Sequence, residues 1–232
     1  METEKFALSD LSITVSADHR FGTDAFLLAG FAKPKRKDIV CDLCTGCGII
    51  PLLFCKKEPP RKIYAVDIQE EAIELLKISA EENGLNEIIE PVLCDLKALT
   101  IPRETVDMVT VNPPYYLPKA GLERLSRAQA IARHELLCSL DDVVKAADYL
   151  LKYGGTLKMC HIPERLADVI CTMRKYRIEP KVITLVQNKE GEKPWLALIS
   201  GKKGGKAGLE ITKPLNMRSG NEYTKELLSA YE

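Results

Sequence analysis

Short apolar runs alternate with helix-like stretches along the middle of the chain, and this alternation limits the possible folds more than any other feature. Five runs indicate strands: Ile39 to Leu43, Lys62 to Asp67, Glu90 to Cys94, Val106 to Val111 and Thr156 to His161. Helical stretches separate them, with apolar residues recurring on one helix face. Strands that alternate with helices form a parallel sheet with helices on both faces. The sequence therefore predicts an α/β, Rossmann-like fold.

The carboxyl-terminal part of the sheet is predicted to be antiparallel. After a helix that begins at Pro163, two strand-like runs follow, Val182 to Gln187 and Trp195 to Ser200. The polar loop from Asn188 to Pro194 joins them in the pattern of a long hairpin. The next segment, Gly201 to Gly208, is rich in Gly and Lys and is expected to be a flexible surface loop.

Length and composition indicate one globular domain for the 232 residues. We expect an N-terminal extension over 1–37, a core sheet over 38–200, and a basic loop with a C-terminal tail over 201–232. Apolar residues make up 46%, and the 33 basic residues match the 33 acidic ones, which excludes disordered chains and polycations. We expect a cytoplasmic protein with no membrane partner and with reduced thiols, because the N-terminus lacks a signal pattern and the eight Cys lie mostly in apolar segments.

A turn with two glycines follows the first strand, in the sequence Asp42-Leu-Cys44-Thr-Gly46-Cys-Gly48. Small residues at a strand-to-helix turn let the backbone approach a ligand, and the next helix presents free N–H groups. The dinucleotide fingerprint would need a third Gly where this chain has Leu52, so a pyrophosphate site is poorly matched. Asp42 instead favours a ligand with a positively charged amino group.

Acidic residues also end the next two strands. Asp67 lies at the tip of the second strand, where a carboxylate can accept from both ribose hydroxyls. Asp95 directly follows the third strand and could accept a hydrogen bond from an adenine amino group. Together with Asp42, they describe a pocket for a nucleoside that carries an amino acid.

The fourth strand ends in the most specific motif of the chain, Asn112-Pro113-Pro114-Tyr115. Prolines stiffen the turn and lack N–H donors, so the Asn112 amide oxygen and the Pro113 carbonyl can both accept from one substrate amine. Tyr115 offers a flat face for stacking a planar base or amide. The motif predicts a catalytic site for modification of an amine.

On these residues the chain resembles the class I S-adenosylmethionine-dependent methyltransferases, within the branch that methylates amino groups through an Asn-Pro-Pro-Tyr motif. The resemblance implies a seven-stranded, mostly parallel sheet with a C-terminal antiparallel strand, and S-adenosyl-L-methionine as the small-molecule methyl donor. It implies catalytic roles for Asn112, Pro113, Pro114 and Tyr115. It implies that the cofactor lies against Thr23, Asp24, Asp42, Cys44, Gly46, Gly48, Asp67, Ile68, Asp95 and Asn112. The family usually has Gly at the position of Cys44.

Three segments are similar, more loosely, to the bacterial tRNA(Val) adenine-37 N6-methyltransferase group: His19 to Leu28, Asn112 to Tyr116, and Ala132 to Glu135. The similarity implies methyl transfer to the N6 of an adenine beside the anticodon, with tRNA as the partner. Methyl transfer from a sulfonium depends mainly on positioning and electrostatics, so we expect no His to act as a base. His19, His134 and His161 are expected to be structural or RNA-facing.

Alternative functions remain open at this point. The same motif occurs in enzymes that methylate a glutamine amide of peptide-release factors, although those carry an N-terminal helical domain and only about 38 residues precede the first strand here. DNA adenine methylation and a non-catalytic binding module rank lower. Cys41, Cys44 and Cys47 have part of the spacing of an iron–sulfur run, but Pro51 stands at the fourth position, so no metal is expected.

The charges are unevenly distributed, which bears on RNA binding. From Gly201 to Arg218 there are five basic residues and one acid, whereas from Ile68 to Glu90 there are seven Glu and one Lys. A polyanion would avoid the second segment. The sequence suggests that it contacts the Lys-rich loop and the segment carrying Arg124, Arg127 and Arg133.

Overall fold

A computed structural model describes residues 2–56, 58–113, 138–219 and 222–224. Its strands are β1 (Thr3–Leu8), β2 (Leu11–Ser16), β3 (Ile39–Leu43), β4 (Lys62–Asp67), β5 (Ile89–Leu93), β6 (Val106–Val111), β7 (Leu151–His161), β8 (Ile178–Gln187), β9 (Leu196–Lys203), β10 (Glu210–Ile211), β11 (Leu215–Asn216), β12 (Arg218–Ser219) and β13 (Glu222–Tyr223). Its helices are α1 (Thr23–Ala32), α2 (Ile49–Phe54), α3 (Glu70–Glu82), α4 (Leu140–Leu150) and α5 (Leu166–Lys175).

The main sheet is mostly parallel and has the strand order β10-β8-β9-β7-β6-β3-β4-β5, with β11 also paired to β8. Among the described residues, seven of its strands are longer than two residues, and β9 is antiparallel to both neighbours, β7 and β8. The predicted seven-stranded sheet with an antiparallel strand near the C-terminus is confirmed. Strands β3 to β7 are parallel, so the loops that follow them meet at one edge of the sheet. We call this edge the carboxyl edge.

Helices cover both faces of the sheet and bury a separate apolar cluster on each. One cluster joins α1, α2 and α3 to the sheet, and the other joins α4 and α5. The sheet strands carry few polar side chains because both faces are covered. Helix α4 is capped by Ser139, whose hydroxyl accepts from the Asp142 N–H while the Asp142 carboxylate accepts from the Ser139 N–H.

The first 38 residues contain structure that was not predicted. Strands β1 and β2 form an antiparallel hairpin, which packs on α3 through hydrogen bonds from Ser12 N to Asn83 Oδ1 and from Thr14 N to Ser79 Oγ, both 2.9 Å. Helix α1 follows and is buried along most of its length. Its residues are apolar on nearly all sides, so they lack the one-sided pattern that indicates a helix.

One predicted boundary is wrong. The sequence predicts a helix from Leu140 to Leu151 that is closed by Gly154-Gly155, but α4 ends at Leu150 and the two glycines lie within β7, beside a register irregularity against β6. Glycine within a strand commonly marks such an irregularity. The helix predicted from Pro163 begins with a 3-10 turn over Pro163–Arg165 and continues as α5.

The Lys-rich loop predicted over Gly201 to Gly208 begins only at Gly204. Residues 201–203 continue β9, and Lys203 is only 6% exposed. Its Nζ donates to the carbonyls of Asp148 and Leu151 and forms an ion pair with Glu104. Lys202 lies opposite Thr156, far along β7 from the carboxyl edge. This part of the loop therefore stabilises the fold at the other end of the sheet and does not border the predicted catalytic motif.

Within the described residues, no helix combines the length and hydropathy that crossing a bilayer requires.

Candidate active site

The glycine turn is bound to the loop after the neighbouring strand. Thr45 N donates to the Val66 carbonyl at 3.0 Å, and Gly46 N donates to Asp67 Oδ2 at 2.8 Å. Cys44, Gly46 and Gly48 all have positive φ angles, of 55°, 56° and 85°. Such a turn is easiest for glycine, which explains why Gly is common at the position of Cys44 in the family that this chain resembles. The turn is thus a tight and rigid segment at the carboxyl edge.

Cys44, in this turn, lies close to a second thiol. Its Sγ lies 3.9 Å from Sγ of Cys138, the last residue before the cap of α4. The hydrogen bond to Cys138, together with burial, raises the pKa of the Cys44 thiol well above its ordinary value. Cys44 is therefore a neutral thiol at physiological pH.

Asp42 lies beneath the turn and is completely buried. Its two carboxylate oxygens accept hydrogen bonds from the hydroxyls of Thr45 and Thr110, which join β3 to the turn and to β6. Burial, opposed by these two hydrogen bonds, raises the pKa of Asp42 from 3.8 to about 7. Direct contact of Asp42 with a ligand amino group remains a prediction.

The buried Asp42 is expected to make stability depend on pH. Because the folded pKa lies above the unfolded one, the contribution of Asp42 to stability is fully present below about pH 4 and is lost as pH rises to about 7. At about 1.4 kcal/mol per pKa unit the loss is several kcal/mol. Asp42→Asn carries no charge, so its free energy of unfolding should rise relative to wild type across this window.

Denaturant unfolding at a series of pH values measures this difference. The comparison must be between the two proteins, because burial lowers the pKa of His161 to about 4 and His161 therefore acts in the opposite direction between about pH 4 and 6.5. Parallel pH profiles for wild type and variant would show that Asp42 does not titrate in this range.

Asp67, at the tip of β4, is the centre of the second loop. Its Oδ2 accepts from Gly46 N and its Oδ1 accepts from Gln69 N at 3.0 Å. Gln69 Nε2 adds a longer bond to Oδ1, at 3.5 Å. A carboxylate has about four acceptor positions, so these three bonds leave capacity for a hydroxyl donor. Ile68 and Leu93 beside it are large apolar side chains that are 46% and 50% exposed. Asp95 caps a short 3-10 turn by accepting from Lys97 N.

Asn112 directly follows β6 at the same edge. Its Nδ2 donates to Asp24 Oδ2 at 3.0 Å, and its Oδ1 accepts from Cys160 Sγ at 3.0 Å. Pro113 is buried behind it. The predicted roles of Pro114 and Tyr115 lie outside the described residues, as do those of Arg124, Arg127, Arg133 and His134. The loops after β3, β4, β5 and β6 thus bring Gly46, Asp67, Asp95 and Asn112 to one edge.

Thr23 and Asp24 open α1, which packs against α2, β7 and β9. The resemblance implied that both flank the cofactor. In the structure, one Asp24 carboxylate oxygen binds Asn112 and the other accepts from Ala25 N. Asp24 therefore contacts the first residue of the Asn-Pro-Pro-Tyr motif, which sequence reasoning did not indicate.

Sequence reasoning also missed Leu93 and Cys160. Leu93 ends β5 opposite Asp67, and an exposed apolar residue at a strand tip was the available signal. Cys160 lies one position before the predicted strand end His161 and is fully buried. Its contact with Asn112 follows only from the pairing of β7 with β6, so no local pattern could have indicated it.

The three cysteines that resemble part of an iron–sulfur run do not come together in the structure. Cys41 and Cys44 belong to the apolar cluster on one face of the sheet, whereas Cys47 belongs to the other. Among the residues that the structure describes, no three His, Cys, Asp or Glu side chains are grouped so as to hold a metal ion.

The strand order, the glycine turn and the acidic residues at successive strand ends define the class I methyltransferase fold. The protein of known structure described as a predicted O-methyltransferase from Agrobacterium tumefaciens superposes with a TM-score of 0.73 at 22% identity, over 90% of this chain and 95% of that chain. A second, M. jannaschii TYW2 in complex with AdoMet, gives a TM-score of 0.59 at 13% identity, over 86% and 85% of the chains.

Residues 16–162 match the methyltransferase small domain family, and the chain belongs to it. It is an enzyme that uses S-adenosylmethionine as methyl donor. Among its relatives, the tRNA1(Val) (adenine(37)-N6)-methyltransferase of Porphyromonas gingivalis strain W83 is 25% identical over 84% of this chain and 79% of its own. The enzyme of the same name from Aeromonas salmonicida is 29% identical over 75% and 72%.

The residues at the carboxyl edge fit this methyl donor. Among the described residues, a Cβ added to Gly46 would meet no atom within 4 Å, so there is open space beside the glycine turn. Ile68 and Leu93 offer apolar surfaces on which an adenine can pack, and Asp67 can accept from ribose hydroxyls. When bound, the cofactor supplies an electrophilic methyl group on a sulfonium.

The two turn glycines are expected to respond differently to alanine. In Gly48→Ala the new Cβ would lie 2.2 Å from Leu76 Cδ1 at a φ of 85°, so we expect a loss of about 2 to 3 kcal/mol in the free energy of unfolding. In Gly46→Ala only the positive φ is unfavourable, at about 1 kcal/mol, but the methyl group enters the open space and should weaken cofactor binding. Denaturant unfolding and cofactor titration of both variants test this contrast. Equal stability losses would contradict it.

Proposed function

We propose that this enzyme transfers a methyl group from S-adenosylmethionine to the exocyclic N6 of an adenine in tRNA, next to the anticodon. The observation that carries the proposal is the position of Asn112, whose amide is held at the edge of the sheet next to the loops that fit the cofactor. The names of the relatives from P. gingivalis and A. salmonicida support adenine 37 of a tRNA(Val) as the target.

The site residues suggest a reaction that depends on orientation. The Asn112 amide oxygen and the Pro113 carbonyl accept the two N–H groups of the adenine amine, so that the nitrogen lone pair points towards the methyl group. The nitrogen becomes cationic on alkylation and then loses a proton readily to water. A strong base is not required, which agrees with His161, whose pKa of about 4 makes it a poor proton acceptor at neutral pH. Tyr115 is expected to stack on the extruded base.

The cofactor roles of the individual residues form part of the proposal. Asp67 binds the ribose, Ile68 and Asp95 contact the adenine ring, and the turn from Cys44 to Gly48 follows the methionine part. Asp42 supports the glycine turn through its hydrogen bond from Thr45, and Thr23 flanks the cofactor. The tRNA backbone would be held by basic residues, among which Lys203 is excluded by its burial.

Methyl transfer from tritiated S-adenosylmethionine to unmodified total bacterial tRNA tests the proposal. Nuclease digestion should place the label in N6-methyladenosine. A tRNA(Val) transcript with adenine 37 should accept it, whereas the transcript with guanine at that position should not. Label that enters a peptide-release factor but not RNA would overturn the proposal in favour of glutamine methylation.

A further inference from the structure

The amide of Asn112 is held at both ends by side chains from distant parts of the chain. Asp24 accepts from its nitrogen, and Cys160 donates to its oxygen, each at 3.0 Å. Asp24 is 88 residues and Cys160 is 48 residues away from Asn112 along the sequence.

Both partners are themselves firmly placed. Asp24 lies in the first turn of α1, where its second oxygen accepts from Ala25 N at 3.0 Å. A carboxylate at a helix N-terminus is stabilised by the free N–H groups and the helix dipole. Cys160 is fully buried in β7, and the pairing of Val111 with Met159 sets it beside Asn112. The two side chains are therefore carried by fixed elements, a helix start and a core strand.

The chemistry of the two partners determines which way the amide points. An ionised carboxylate can only accept hydrogen bonds, so it must face the amide nitrogen. Rotation of the amide by half a turn would set its oxygen against the Asp24 carboxylate. The thiol of Cys160 is a weak donor and occupies one of the two lone pairs of Oδ1. The other lone pair can accept from an amine.

We propose that Asp24 and Cys160 are positioning residues that hold the Asn112 amide with Oδ1 as the acceptor for the target amine. The inference rests on the proposed function in so far as the methyl acceptor is an amine. It assigns Asp24 to the orientation of Asn112, whereas the family resemblance assigned it to the cofactor. Cys160 acts only by orienting the Asn112 amide and does not contact the substrate.

Kinetic measurements on four variants test the proposal. Asp24→Ala should lower kcat about tenfold to a hundredfold, the range of a hydrogen bond to a charged group, and Asp24→Asn should fall in between because its carbonyl still accepts. Cys160→Ala should lower kcat about threefold to tenfold, and Cys160→Ser, which keeps a donor, should restore most of it. The cofactor Kd and the KM for RNA should change less than twofold in all four.

Cys55→Ala is the matched control for the loss of a buried thiol. Cys55 belongs to the same apolar cluster as Cys160 but follows α2, away from Asn112. It should leave kcat unchanged. If Cys55→Ala lowers kcat as much as Cys160→Ala, or if Asp24→Ala weakens cofactor binding while kcat is unchanged, the positioning role is wrong.

Infrared spectroscopy of the S–H stretch tests the Cys160 contact without any substrate. The difference between the spectra of wild type and Cys160→Ala isolates the band of this thiol, which hydrogen bonding shifts to lower frequency. Asn112→Ala should move that band to higher frequency. A band that does not move would show that the contact is absent, whether or not tRNA is the substrate.

A complementary NMR measurement tests the Asp24 contact. The Asn112 side-chain amide protons, assigned by their absence in Asn112→Ala, should exchange slowly with solvent in wild type and faster in Asp24→Ala. Equal exchange in the two proteins would overturn the role of Asp24. These two spectroscopic results do not depend on the proposed function. A failure of the proposed function can therefore be distinguished from a failure of the positioning role.

Discussion

Replacement of Asn112 by alanine is expected to lower kcat for methyl transfer about 10²- to 10³-fold, the magnitude seen when one preorganised polar group is removed from a reacting centre. The physical reason is that the amide oxygen orients the amine nitrogen, and a misdirected nucleophile rarely reaches the attack geometry. Cofactor affinity should remain close to that of wild type, because the glycine turn and Asp67 lie on other loops. Single-turnover kinetics with saturating cofactor and RNA separate the chemical step from binding.

The matched control is Asn86→Ala, which removes an exposed amide ahead of β5, at the end of the sheet away from the site. Its kcat should equal that of wild type. An Asn112→Ala enzyme with more than a tenth of the wild-type kcat would mean that the Pro113 carbonyl or residues outside the described part of the chain carry the orientation of the amine.

Replacement of Asp67 by alanine is expected to abolish measurable cofactor binding at concentrations that saturate wild type. The substitution removes the acceptor for ribose hydroxyls and also leaves the N–H groups of Gly46 and Gln69 without their carboxylate partner. Loss of such bonds to a charged group costs about 1.5 to 3 kcal/mol each. The glycine turn should therefore loosen, and the free energy of unfolding should fall as well.

Isothermal titration with S-adenosylmethionine and denaturant unfolding measure the two effects separately. Asp67→Asn keeps the size of the side chain and should recover part of the stability but little of the affinity. Asp10→Ala, at the exposed tip of the β1–β2 hairpin, is the control that should change neither. Unchanged affinity in Asp67→Ala would refute the assignment of this loop to the cofactor.

The sheet could be predicted from the sequence because its strands are continuous apolar runs, and its turn glycines and strand-end acids lie within a few residues of each other. Helix α1 could not, because burial on nearly every side removes the helical period on which the prediction depends. Lys203 was misjudged for a related reason. A lysine in a glycine-rich segment indicates a solvated loop. Only the fold reveals that the carbonyls of Asp148 and Leu151 accept hydrogen bonds from its ammonium group.

The residues of the candidate site also fall into two groups, those with a local sequence signature and those without one. Gly46, Asp67 and Asn112 were identified because each has a local signature at the end of a strand. The partners of Asn112 have none, because Asp24 and Cys160 reach it from a helix start and from the neighbouring strand. Contacts that depend on strand order are invisible to a pattern confined to a few neighbouring residues.

The insertion of β9 between β7 and β8 has a consequence for synthesis on the ribosome. Strand β8 is made before β9 but has no partner in the main sheet until β9 arrives. A nascent chain that ends near Gln187 therefore exposes the edge of β7 and an apolar β8 at the same time, which is the condition that promotes aggregation. Strand β9 covers the edges of both β7 and β8, so chaperone dependence should be greatest for nascent chains halted between β8 and β9.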